Sequence, residues 1–362
     1  MARKALSAVL EKPGSIVVRE FDIPAVGPEE GLLKVEMVGV CGTDPKYYHG
    51  KLPVPYPIIL GHEILGRIAE IGDVAAKRYG VAKGDRVVVE SSTTCGHCRY
   101  CLIGSYRLCE NKRSYGINVT STTPPHLWGA YGEYMHLTQG SIIHRISESV
   151  PAEAAVLINA VIANGIQWVR NLGLASIGQA VVIQGLGPQG LAMTLAAKES
   201  GAYPIIVTGL SVDQDRFELA QEFGADHFIN VQEEDVVARV RDLTKGQMAD
   251  IAVDVTGSSE AILKSLDMVR KQGTLICAGL TGTGTVTPLP IDRIVLNEIR
   301  VQGVFSKGVD AVASAVKLVE SRRYPLESMV THRFPLKDAE QAVKAVGGEV
   351  PGVRPIKAVL IP

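Results

Sequence analysis

Charge imbalance is missing from this sequence of 362 residues: 37 Lys and Arg stand against 38 Asp and Glu, a formal net charge of −1. Without an excess of cations there is no surface to hold a polyanion, so nucleic acid is not an expected partner. Long apolar runs are also missing: no stretch reads as approaching the roughly 20 apolar residues that span a bilayer, and no membrane association is expected. The opening segment MARKALSAVLEKPG carries charges where a signal peptide needs an uninterrupted apolar stretch, so the expected location is the cytoplasm. Internal repeats, low-complexity tracts and long linkers are absent, and the length suits two domains with cores of their own. Cysteine is scarce, at six residues.

Four of those six stand together. Cys95, Cys98, Cys101 and Cys109 form C-x2-C-x2-C-x7-C, a spacing that brings four thiolates around one tetrahedral zinc; disulfide pairing is the alternative reading. A reducing cytoplasm favours the metal. Four protein sulfurs leave no open coordination position, so such a zinc holds structure and does no chemistry. His97 inside the cluster reads as solvent-facing, and Cys277, in TLICAGL, as a small buried hydrophobe. Cys41 is left for other work.

The first 150 or so residues read as short β-rich segments, SIVVREF, LLKVEMVGV, GRIAEIG and DRVVVE, broken by turns such as KPG and KGD. From about residue 160 apolar strands alternate with helical stretches: AVVIQGLG, GLAMTLAAKES, PIIVTG, DRFELAQEFGA, ADIAVDVTG and GTLICAGL. That alternation predicts an α/β domain with a doubly wound parallel sheet. After about residue 306 the helical AVASAVKLVES and the strand IKAVLIP leave this pattern and are expected to pack back on the first domain.

Gly185, Gly187 and Gly190 form G-x-G-x-x-G between a strand and an apolar helix. The first permits a tight turn, the second lets backbone approach a pyrophosphate, and the third lets helix and strand pack closely, while the helix N-terminus offers N–H groups to the anion. Leu186, Pro188 and Gln189 in the turn, with Thr256 and Gly279 after later strands, complete the cofactor set; an empty βα turn is the alternative. The acid that usually accepts from the adenosine ribose is not where the second strand ends, at Gly209, but Asp213 and Asp215 follow, with Arg216 beyond. Arg216 would suit a 2′-phosphate; the two carboxylates oppose one and favour NAD(H) over NADP(H).

Cys41, in VGVCGTDPKYYHG, and the adjacent His62 and Glu63, in PIILGHEILGRIAEIG, supply ligands suited to zinc, and a zinc with one open position acts as a Lewis acid. With Cys41-Gly42-Thr43-Asp44, Gly61-His62-Glu63 followed by Gly66 and Gly72, Gly84-Asp85-Arg86-Val87, the four-cysteine lobe and the glycine fingerprint in this order, the chain resembles, essentially end to end, the zinc-containing medium-chain dehydrogenase/reductase (MDR) family of alcohol, polyol and threonine dehydrogenases. The resemblance implies a GroES-like catalytic domain over 1–160 with the zinc lobe at about 91–112, a Rossmann NAD(P)-binding domain over 161–306, and a return to the catalytic domain over 307–362. It also implies an active site in the cleft between them, with hydride passing between a carbinol carbon and nicotinamide C4. Thr43 matches the hydroxyl that passes the substrate proton on, and Asp44 a carboxylate that orients His62; read without the resemblance, the two make a turn and helix N-cap before Pro45. Lys357 resembles the basic residue near the pyrophosphate.

Two positions depart from the family pattern. The proton-relay histidine falls at Lys46, so that lysine, a water or His49 takes its place. The usual third zinc ligand falls at Ala160, which cannot bind metal, leaving Glu63 as the ligand expected beside Cys41 and His62, and Asn159 as its rival. A pocket drawing on Tyr47, Tyr48, Leu52, Leu127, Trp128 and Ile162 is largely apolar and suggests a hydrophobic, cyclic or secondary alcohol. The alternatives are a carbonyl or ene reductase of the same fold without catalytic zinc, and a cofactor-binding protein without turnover. A homodimer or homotetramer is expected from relatives.

Overall fold

A computed structural model describes residues 3–362. The chain forms two compact units, one running up to Ala160 and resuming over Ala315–Pro362, the other Val161–Ser314. The second boundary falls inside a helix, Val309–Glu320, rather than at the change of texture near residue 306.

The first unit opens with strands β1 (Lys4–Lys12) and β2 (Ser15–Asp22), an antiparallel hairpin turned by Pro13 and Gly14. Proline fixes the first central position, and Gly14 supplies the φ of +77° at the second. Next come β3 (Gly31–Val40), the two-residue β4 (Ile58–Ile59), β5 (Glu63–Ile71), β6 (Arg86–Val89), β7 (Tyr134–Leu137) and β8 (Ile143–Arg145). Leu32, Leu33, Val38, Ile64, Val87, Val89 and Met135 bury their side chains in one core between these strands.

The second unit is an all-parallel sheet of β9 (Val181–Gln184), β10 (Ile205–Gly209), β11 (His227–Asn230), β12 (Ala249–Asp254), β13 (Val269–Cys277) and β14 (Arg300–Gly303). Its spatial order is β11-β10-β9-β12-β13-β14. Helices such as Pro188–Glu199, Gln214–Glu222 and Ser259–Met268 join the strands, which explains why β9, VVIQ, is buried throughout instead of alternating. The order reverses between β9 and β12, opening a crevice at the strands' carboxyl ends, where ligands bind in such sheets.

The chain then returns to the first unit as β15 (Val330–Pro335) and β16 (Lys357–Ile361). β16 lies antiparallel to β3, with Val359 opposite Gly39, and completes a sheet of order β15-β16-β3-β5-β6-β8. One sequence expectation is corrected: a helical run of 21 residues, Ala152–Leu172, is by length and composition apolar enough to cross a membrane. Most of it is buried inside the protein, as in a core helix. Glu153, Asn159, Asn164 and Gln167 break its apolar sequence into short pieces.

Candidate active site

The four cysteines of the lobe converge. Cys95 Sγ lies 4.0 Å from Cys101 Sγ and 3.6 Å from Cys109 Sγ, and Cys98 Sγ lies 3.6 Å from Cys101 Sγ. A tetrahedron with Zn–S bonds of about 2.3 Å has edges of about 3.8 Å, so this donor set fits one zinc without rearrangement. All six cysteines are free thiols, so the disulfide alternative is not realised. Backbone N–H groups of His97 and Cys98 pull the Cys95 pKa down to about 6, favouring the thiolate a metal needs. His97 is exposed, its Nδ1 2.8 Å from the Cys95 carbonyl. The lobe is tied to the sheet through Tyr106, whose hydroxyl donates to both oxygens of buried Glu90, at 2.9 and 2.8 Å.

Cys41, His62 and Glu63 form a second cluster, with candidate ligand atoms all within 4.8 Å of one another. Cys41 follows β3, and His62 and Glu63 stand at the start of β5. In the antiparallel register Gly39 faces Glu63, and a Cβ at Gly39 would lie 2.0 Å from Glu63 Oε2. The missing side chain is therefore the space the carboxylate occupies. One strand further, Lys357 brings its ammonium against the same oxygen, forming an ion pair with neither partner more than 3% exposed.

Asp44 begins the short helix Asp44–Tyr48, with Pro45 behind it. Its Oδ2 accepts from the Cys41 N–H and from the Tyr131 hydroxyl, both at 2.8 Å, and its Oδ1 lies 3.7 Å from His62 Nδ1. Thr43 occupies the N-cap position, yet its hydroxyl makes no capping bond and stays buried without a hydrogen-bond partner. Burial alone would lower the pKa of His62; Cys41, Asp44 and Glu63 around it outweigh that and raise it to about 9. Burial pushes the Asp44 carboxyl up. These groups favour a positive charge on the ring, and a divalent metal between Cys41 and His62 would take the place of the ring proton. His62 Nδ1 and Glu63 Oε1 are likewise buried without hydrogen bonds, which fits a donor set built for a metal.

Several expected residues stand elsewhere. Lys357 is enclosed against Glu63. His49 is exposed, its Nε2 2.6 Å from Glu349; Lys46 is half-buried. Ala160 is buried in a π-helical turn, Ile158–Ile162. Its neighbour Asn159 donates from Nδ2 to the Val89 carbonyl at 2.9 Å and leaves Oδ1 buried without a partner. Tyr48, Leu127 and Trp128 are core residues: the Trp128 ring packs against Tyr115 and His136, its Nε1 bonded to the Thr123 carbonyl. Tyr47 remains half-buried, its pKa pushed up to about 12 by burial and by Asp44 and Cys41 beside it. Gly39 and Tyr131 were not found from sequence: a glycine two residues before a ligand and a tyrosine 87 residues from Asp44 carry no local signal.

In the second unit, Gly185 follows β9 with φ +102°, and Gly187 precedes the helix Pro188–Glu199. A Cβ at Gly190 would strike the Gly185 carbonyl at 1.9 Å, whereas one at Gly187 would meet nothing within 4 Å. Gly190 is thus a packing glycine, and Gly187 borders open space. Leu186 is buried; Pro188 and Gln189 are half-buried in the turn. Across the switch point, Asp254 at the end of β12 accepts from the Thr256 hydroxyl at 2.6 Å and the Gly257 N–H at 3.0 Å. A Cβ at Gly279 would lie 2.1 Å from the Gly257 nitrogen, so the turns after β12 and β13 require close approach there. Arg216 sits 3.5 Å from Asp213.

Comparison with known proteins gives the same outline. Residues 27–148 match the alcohol dehydrogenase GroES-like domain, and residues 188–321 the zinc-binding dehydrogenase model. A probable alcohol dehydrogenase of Mycobacterium tuberculosis is 39% identical over 362 residues, covering 98% of this chain and 97% of its own. The crystal structure of an alcohol dehydrogenase from Thermotoga maritima, 31% identical, superposes with a TM-score of 0.90 over 99% of this chain and 100% of its own. A zinc-binding dehydrogenase from Sinorhizobium meliloti bound to NADP, 26% identical, superposes with a TM-score of 0.88 at the same coverage.

Proposed function

Since the chain belongs to the zinc-containing medium-chain dehydrogenase/reductase family and is an oxidoreductase of its alcohol dehydrogenase type, we propose that it oxidises a secondary, hydrophobic or cyclic alcohol to the ketone, and reverses the reaction, with NAD(H) in preference to NADP(H). Cys41, His62 and Glu63 hold the catalytic zinc, and Cys95, Cys98, Cys101 and Cys109 the structural one. When bound, zinc makes a substrate hydroxyl easier to deprotonate, and the nicotinamide takes up the hydride with its electron pair. The protein's own residues do the rest. Asp44, fixed by the Cys41 N–H and Tyr131, orients His62. The Thr43 hydroxyl, which has no bond of its own, accepts the substrate proton and passes it towards solvent, with Lys46 beyond it. Gly187 leaves the space for the pyrophosphate.

The observation that carries this reading is the convergence of Cys41, His62 and Glu63 beside a buried hydroxyl without a partner. Metal analysis with a nicotinamide assay over an alcohol panel tests it. The parent is expected to hold two zincs per chain, Glu63→Gln to retain one and lose most turnover, and Asn159→Ala to retain both. Two zincs and full turnover in Glu63→Gln would sink the ligand assignment. A second reading, a carbonyl or ene reductase without catalytic zinc, draws on Ala160 and on the grip of Lys357 on Glu63; one zinc in a fully active parent would favour it. A parent that binds nicotinamide cofactor but turns over no alcohol, ketone or alkene would point to a binding protein. The reading includes a cytoplasmic setting, where thiols stay reduced for the metal, and a homodimer or homotetramer.

A further inference from the structure

We infer that Glu233, on the loop after β11, reads the adenosine ribose in place of the acid that β10 lacks, and so selects the cofactor without a 2′-phosphate. The inference rests on the proposal that a dinucleotide occupies the turn Gly185–Gly190.

A dinucleotide laid along this turn brings its adenosine ribose to the carboxyl end of the next strand, β10. That strand ends at Gly209, which has no side chain to offer. Nor is there room for one. A Cβ there would lie 3.1 Å from the Phe228 ring and 3.2 Å from both Asp213 Oδ2 and Leu186. Asp213, the next acid along, is buried and turned inward: its Oδ2 accepts from the Leu210 N–H at 3.0 Å, and its Oδ1 faces Arg216. Asp213 is therefore committed to closing its own turn.

The replacement comes from the neighbouring strand. β10 and β11 are parallel with Gly209 opposite Asn230, so the segments leaving the two strands run side by side. Three contacts lock them together at Ser211. The Ser211 N–H donates to Gln232 Oε1 at 2.9 Å, Asn230 Nδ2 donates to Ser211 Oγ at 2.9 Å, and Ser211 Oγ donates to Glu233 Oε1 at 3.4 Å. The Gln232 N–H in turn donates to Asn230 Oδ1 at 3.1 Å. This network carries an exposed carboxylate to a point two residues beyond the end of β10, where the missing acid would have acted. Only the bond to Ser211, the longest of the set, has to yield for Glu233 to turn to a ligand.

The chemistry follows from charge and hydrogen-bond capacity. A carboxylate offers two oxygens to a vicinal diol, and the Ser211 hydroxyl sits within the same reach. A 2′-phosphate would bring close to two negative charges against Glu233, with the Glu234 carboxylate next in sequence. Discrimination thus arises from repulsion as much as from attraction.

Binding of NADH and NADPH to the intact zinc-loaded protein, followed by nicotinamide fluorescence, tests this without reference to turnover. The parent should bind NADH at least about tenfold more tightly than NADPH, a difference of about 1.4 kcal/mol. Glu233→Gln should narrow or abolish that ratio, and Glu233→Lys should invert it; Gly187→Val should weaken both cofactors alike. An unchanged ratio in both Glu233 variants, a parent that prefers NADPH, or a shift produced by Asp215→Asn instead would overturn the inference while leaving the cofactor site standing. If the parent binds neither nucleotide, the cofactor site itself falls, and the inference with it.

Discussion

His136, on β7, is 1% exposed; its ring meets Trp128 edge-on at 6.0 Å, its Nε2 lies 3.4 Å from Glu30, and its Nδ1 has no hydrogen bond. Burial lowers its pKa, and Glu30 recovers part of the loss. Above about pH 6.5 the ring is neutral in both folded and unfolded chains, so it adds no pH dependence. Below that value the unfolded chain takes up a proton that the folded one resists, and stability falls with pH. Melting temperature should therefore drop between pH 7 and pH 5 more steeply in the parent than in His136→Gln; parallel curves would refute the assignment. The same scale shows what a sequence conceals. Cys41, His62 and Glu63 were legible because each stands in a short motif, whereas the pairing of Glu63 with Lys357, and the void at Gly39 that admits it, depend on the register of β16, β3 and β5. No local pattern encodes a register across almost 300 residues, so the ion pair of Lys357 with Glu63 was not legible.

At the scale of elements, local chemistry carried further. Pro13–Gly14 fixed a hairpin, and apolar strands alternating with helices gave the parallel sheet its order of construction. The depth of Leu127 and Trp128 was not legible, since they lie in an irregular segment whose burial is set by the strands packed around it. Nor was the π-helical turn at Ile158–Ile162, which changes side-chain register beside Ala160 without any proline or glycine to announce it. The cysteine lobe is the reverse case: its short helical pieces, Arg99–Leu102 and Tyr106–Leu108, contain no buried residue. With little core of its own, the lobe depends on the metal, as small metal-held elements do. Cys98→Ser should release one zinc per chain and cost on the order of 4 kcal/mol, the range reserved for losses such as a structural metal. At about 2–4 °C per kcal/mol the melting transition should fall by roughly 10 °C. Zinc content and melting that match the parent would rule the lobe out as a metal site.

For the whole molecule, the second unit leaves a surface that one chain does not cover. β14 pairs with β13 on one side and, among the described strands, with nothing on the other. An open edge of this kind presents unpaired N–H and C=O groups to any strand that approaches. The preceding helix, Ile291–Leu296, contains no buried residue, and Ile291, Val295 and Leu296 are well exposed, as are Val286 and, on β14 itself, Val301. Exposed apolar side chains on an edge strand and on the helix that leads into it mark an interaction surface more often than an ordinary solvent face. A two-fold axis beside β14 would set the same patch against itself, the arrangement most soluble oligomers adopt, and a stable pair would bury about 1,200–2,000 Å². Sedimentation of the parent at micromolar concentration should give a dimer or tetramer. Val301→Lys with Leu296→Asp places charge at the strand edge and on the helix without touching the cysteines or the glycine turn, so zinc content and cofactor binding should persist while the parent's mass falls by half, to one chain from a dimer or two from a tetramer. A parent that sediments as a monomer, or a double variant that keeps the parent's mass, would show that this edge is not where copies meet.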